Sequence, residues 1–145
     1  MASHIRAHFD NNNILSDLEH GFRKKRSCET QLILTANNIA NGLKGCKQID
    51  AILFDFSKAF DKVSHTHILY KLKFYDIHDN TLSWITDFLN NHTQKVVVGG
   101  KESIQADVTM GVPQGMVHGP LLFLAYINDL FECVSSSVRF FVNNF

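Results

Sequence analysis

A chain of 145 residues that is 45% hydrophobic, with 12 Phe, can bury one core, which excludes a disordered polymer. Its 14 basic and 14 acidic residues cancel, so no whole-molecule field draws in nucleic acid and any such binding must rest on local patches. Cys28, Cys46 and Cys133 lack disulfide or zinc-ribbon spacing, the start has no apolar signal core, and the run Leu121 to Ile127 is too short for a bilayer; export and membrane classes drop out, leaving an intracellular, cytoplasmic or nuclear location.

Residues 3 to 12 pattern as a weak amphipathic helix, followed by a polar stretch that leads into Gly21-Phe-Arg-Lys-Lys-Arg26. Ser27 is placed to cap a helix carrying Leu32, Ala36, Ile39, Ala40 and Leu43 at helical spacing, with Gly42 and Gly45 as its stop. Ile49 to Phe56, nearly continuous in apolar residues, predicts a central strand covered on both faces. Ser57 to Val63 looks helical. Two helices should follow, one with Ile68, Leu69, Leu72 and Tyr75, the other with Leu82, Ile85 and Leu89 and capped by Asn80. Lys95 to Val98, Gly99-Gly100 and the alternation Ile104, Ala106, Val108 read as a hairpin. Gly111 to Gly115 is a loop, Leu121 to Val134 a helix apolar almost all round, and Val138 to Val142 a last short strand. This alternation predicts a mixed sheet covered by helices.

Two stretches could carry chemistry. Asp55 would sit at the tip of a buried strand, where a rigid backbone can present a carboxylate to a cation; a helix-capping acid is the equally weighted alternative. Asp61 fits a helix-face acid beside Lys58 or Lys62. Gly111-Val-Pro-Gln114-Gly115-Met-Val-His-Gly119-Pro120 is a loop whose backbone can approach a ligand, with Gln114 able to donate and accept hydrogen bonds; by composition alone it is a loop before a buried helix. Arg23-Lys24-Lys25-Arg26 is either a phosphate contact or a solvated loop. His65 and His67 form the only close histidine pair and lack further ligands at zinc spacing. Trp84 reads as a core residue.

The order of these stretches resembles the reverse transcriptase domain of non-LTR (LINE-type) retrotransposons. Asp55-Phe-Ser-Lys-Ala-Phe60-Asp61 is similar to that family's first catalytic motif, and Gly111-Val-Pro-Gln-Gly115 to its template- and nucleotide-contacting motif. His20 to Ser27 resembles a segment of its fingers, and Tyr126-Ile-Asn-Asp-Leu130 its buried helix. The resemblance implies an α+β fold, a partial right-hand palm with a mixed or antiparallel sheet packed on helices, over about 49–145, and a fingers remnant over about 1–48. It implies that Asp55 holds Mg2+ or Mn2+, with help from the backbone carbonyl of Phe56. Phe60 would lie beneath the sugar of the incoming nucleotide, and Gln114 and Gly115 near the nascent base pair. Arg23, Lys24, Lys25 and Arg26 would face template or triphosphate. RNA template, DNA primer and deoxynucleotides are the implied partners.

Departures from the family pattern are concentrated where its charge should be. The second catalytic motif, an aromatic residue, Ala and two Asp, is here Phe141-Val-Asn143-Asn144, so both acids are neutral amides. Amides offer hard cations a dipolar oxygen without charge. Met116 and His118 replace a small and an apolar residue. Relative to the family pattern, the sequence stops before the return strand, primer grip and thumb, and starts after much of the fingers. The expectation is a catalytically defective RNA-directed DNA polymerase homologue. The alternatives are a nucleic-acid-binding or protein-interaction module, or a translated relic with an unpaired sheet edge.

Overall fold

The computed structural model describes residues 1–23, 25–113 and 115–139, and these divide into two compact units. The described residues are α+β, with five α-helices and two small antiparallel sheets.

The first unit comprises Met1–Ile14 and Lys58–Ile127. Helix α1 (Ala2–Asn11) buries Ile5 and Phe9, one turn apart on one face. A 3-10 turn (Phe60–Lys62) leads into α3 (His65–Phe74), whose Ser64 hydroxyl accepts the His67 N–H at 3.4 Å. Helix α3 buries Ile68 and Leu72, and α4 (Asp79–Asn90) buries Ile85 and Leu89, in both cases four residues apart. These stripes meet, with α3 packed on α4 and on α5 (His118–Ile127). In α5 every residue from Gly119 to Ala125 is buried, as its uniformly apolar sequence requires. Helix α4 is capped by the backbone of His78, so Asn80 is inside the helix and not at its start.

Between α4 and α5 the chain makes a long hairpin. Strands β2 (Val97–Val98) and β3 (Lys101–Glu102) flank Gly99 and Gly100, whose φ values of +57° and +77° are those of a turn only glycine adopts without strain. Farther out, β1 (Thr93–Gln94) pairs with β4 (Ala106–Asp107). The register slips by one residue between the two pairs, so the returning arm carries a bulge near Ile104. The predicted hairpin is thus present, with exposed side chains on its strands.

The second unit is built from Leu15–Ser57 and the chain from Asn128 on. The Asn128 side chain ties its two parts together by accepting the Ser16 N–H at 2.7 Å. Helix α2 (Cys28–Lys44) begins with a reciprocal cap in which the Ser27 hydroxyl accepts the Thr30 N–H at 3.3 Å and the Thr30 hydroxyl accepts the Ser27 N–H at 2.9 Å. Ser27→Ala should cost about 1 kcal/mol, read as a shift in a urea titration followed by circular dichroism. Leu130–Cys133 forms a closing 3-10 turn, with Phe131 buried.

The helix expected from Ser27 is present, although Leu32, Ile33, Leu34 and Leu43 are exposed on it. Ile49 to Phe56, by contrast, does not form the expected central strand. It runs without regular structure, exposed along its length, and no described residue pairs with the backbone of Ile49 to Asp55. The mixed sheet expected around it is absent from the described residues, whose only sheets are the two small ladders of the hairpin. The stretch Ser57 to Val63 is helical only over the 3-10 turn. Of the strand expected over Val138 to Val142, residues 138 and 139 have no strand structure and the rest lie outside the described residues.

Candidate nucleotide site

The glycine loop is anchored residue by residue to the segment that follows the first acidic motif. Gly111 donates its N–H to the Val63 carbonyl at 2.7 Å, and Val112 donates to the Phe60 carbonyl at 2.9 Å. Ser64 and Met110 form an isolated antiparallel bridge beside them. From the other side the buried His65 donates through Nε2 to the Gly111 carbonyl at 2.8 Å, which fixes the proton on that nitrogen because a carbonyl can only accept. His65 therefore serves the loop, a role that nothing in its local sequence signals, since Gly111 lies 46 positions further along the chain.

Glycine is required here for two different reasons. Gly111 has φ +92° and approaches so closely that a Cβ would lie 3.0 Å from Cα and the carbonyl oxygen of Asp61. At Gly119 the backbone angle is ordinary, but a Cβ would collide with the Pro113 carbonyl. Gly115 has φ +79° and open space around it, so it is exposed and conformationally demanding without being crowded. Gln114 lies outside the described residues.

Phe60 is buried and stacks on Phe123 of α5, ring centroids 4.5 Å apart and planes 25° from parallel. Its backbone holds the loop while its ring packs on the helix after the loop. Asp61, beside it, is exposed. His118 opens α5 with its ring against Trp84 (4.9 Å) and Phe88 (5.6 Å), and its Nε2 is buried without a hydrogen-bond partner. Trp84 is half-buried and stacked on Phe88, a packing residue as expected.

Burial first, and then the amino group of Met1, lowers the His118 pKa from the usual 6.5. The folded state thus favours the neutral ring. The stability so gained is fully present above pH 6.5 and is lost as pH falls through the lower folded value. His118→Phe should flatten the fall in melting temperature between neutral and mildly acidic pH. His20 in the second unit leaves a remainder, its pKa lowered by burial and then by Arg26, Arg139 and Arg23.

The remaining predicted residues belong to the second unit, described by itself. Asp55 and Phe56 are exposed in the extended segment. Arg26 spends its guanidinium internally, donating to the carboxylate of Asp17 at 2.5 Å, to the Asp17 carbonyl and to the Glu19 carbonyl at 3.1 Å. Arg23 lies 3.9 Å from the same carboxylate. Lys25 is exposed, while Lys24, Asn143 and Asn144 fall outside the described residues.

Among the described residues no group of three or more His, Cys, Asp or Glu side chains could hold a metal ion. No helix among the described residues is long and apolar enough to cross a membrane.

Comparison with known proteins accounts for the motif order. A probable RNA-directed DNA polymerase from transposon BS of Drosophila melanogaster is 29% identical over 81% of this chain and 13% of its own length. The RNA-directed DNA polymerase from mobile element jockey of the same fly is 30% identical over 77% of this chain and 12% of its own. A Pol polyprotein from the type-1 retrotransposable element R2 of Popillia japonica is 33% identical over 61% of this chain and 14% of its own. The chain thus spans about an eighth of the length of these relatives. The family model described as reverse transcriptase (RNA-dependent DNA polymerase) matches residues 1–145, and the chain belongs to that family, with relatives among the non-LTR retrotransposons.

Proposed function

We propose that this chain is a piece of a retrotransposon reverse transcriptase, part palm and part fingers, that does not polymerise DNA. The observation that carries the reading is Asn143-Asn144 in the place of the family's paired acids, which leaves Asp55 as the only carboxylate of the expected set. Reverse transcriptases generally work with divalent metal ions, and two such cations repel each other unless carboxylates neutralise them. With so little negative charge, Mg2+ or Mn2+ would be held weakly or not at all.

RNA template, DNA primer and deoxynucleotide are the partners proposed from the family, in the cytoplasm or nucleus. Gly115 and the anchored loop would lie near the nascent base pair. Arg26 is a weaker candidate for phosphate contact than the sequence suggests, because Asp17 and two carbonyls already use its donors. Primer extension on an RNA template, with Mg2+ or Mn2+, tests the proposal. Incorporation at the level of a no-enzyme control is expected, and template-dependent incorporation would reject it.

A further inference from the structure

Helix α3 turns two aromatic rings outward. Tyr70 and Phe74 are 72% and 77% exposed, whereas Phe9, Phe60 and Phe123 of the same unit are buried. The inward side of the helix is His65, Ile68 and Leu72, and opposite it the exposed residues Thr66, His67, Tyr70, Lys73 and Phe74 lie within about 120° of one another. Tyr70 and Phe74 are thus stacked one turn apart on a single face. Phe74 also meets the Tyr75 ring at 5.8 Å, planes 68° apart, a contact that steadies it without covering it. The charge on this face has one sign. No acid occurs from Lys62 to Tyr75, and Lys73 has no carboxylate partner among the described residues. Lys71 is turned aside to the Tyr126 carbonyl, and Asp76, the first acid past the helix, lies 3.6 Å from His78.

We propose that this face of α3 binds single-stranded nucleic acid, with bases stacked on Tyr70 and Phe74 and with Lys73 and His67 meeting the phosphates. Exposed rings set among cations suit a polyanion that also carries flat π faces. The bases of a duplex cover one another's faces, so only unpaired bases can lie on a side-chain ring. An acidic protein would answer the charge and leave the rings unused. Such binding adds a surface to the nucleic-acid contact proposed above, and because it needs no metal it can succeed or fail independently of primer extension.

Fluorescence anisotropy of labelled single strands of about 20 nucleotides, one RNA and one DNA of the same mixed sequence, titrated with the 145-residue chain, tests this. Salt-dependent binding to one or both strands is expected, stronger than to the matching duplex. Changing Tyr70→Ala and Phe74→Ala together should weaken it about a hundredfold, about tenfold for each ring, whereas Tyr70→Trp should keep it. Lys73→Gln should reduce the steepness of the salt dependence by about one phosphate contact. Circular dichroism of these variants should match the parent, because all three side chains are exposed and alanine favours a helix. Absence of binding to either strand would overturn the proposal. So would binding that survives the loss of both rings, which places the contact elsewhere, or equal competition by duplex or polyglutamate, the mark of a surface that reads charge alone.

Discussion

Gly119→Ala should lower the stability of the unit formed by Met1–Ile14 and Lys58–Ile127 by about 3 kcal/mol, the upper end of what overpacking costs. The added methyl group would meet the Pro113 carbonyl, which belongs to backbone and cannot swing aside like a side-chain tip. Relief requires the loop to move off α5. That motion would pull on the Gly111 and Val112 hydrogen bonds to Val63 and Phe60, so the damage should spread to the loop. Gly115→Ala is the control. Its φ of +79° makes alanine unfavourable by about 1–2 kcal/mol, but nothing lies within 4 Å to be displaced. Urea titration of both variants checks the contrast; equal losses would mean that backbone strain and not collision governs the loop.

Restoring the acids should matter more for binding than for folding. Asn143→Asp combined with Asn144→Asp is expected to tighten Mg2+ binding about a hundredfold or more. Two unit charges about 4 Å apart interact by about 4 kcal/mol at an effective dielectric of 20, and even after a large desolvation loss two new carboxylates should leave several kcal/mol. Calorimetric titration with Mg2+, or relaxation enhancement by Mn2+, measures it. Unchanged affinity would mean that positions 143 and 144 do not join Asp55 in one site, and the proposed cause of inactivity would fall. The parent chain should give weak, non-saturating binding in the same titration.

Local signals predicted local structure well. Ser27 with Thr30 makes the cap of α2, Gly99-Gly100 makes the tight turn, and the spacing of Ile68 with Leu72 and of Ile85 with Leu89 places the faces that meet. Each of these depends on residues within one turn of helix or one hairpin, so a short window of sequence contains the relevant physics. The Ile49 to Phe56 segment shows where that logic stops. Its apolar run carries strand propensity, but a strand exists only when another segment accepts its hydrogen bonds, and that is decided by distant residues.

The sequence by itself determined the family, through the order of Asp55, Gly111 to Gly115 and their flanking motifs, and it determined the charge available for a metal, because both follow from residue identity alone. Only the tertiary structure decided that His65 serves the Gly111 carbonyl, that Gly119 must be small to admit Pro113, that Phe60 packs on Phe123, and that Arg26 is committed to Asp17. His65 with Gly111 and Phe60 with Phe123 join segments far apart in the chain, and the other two contacts depend on how a loop folds back on itself; neither kind of proximity leaves a trace in the spacing of neighbouring residues.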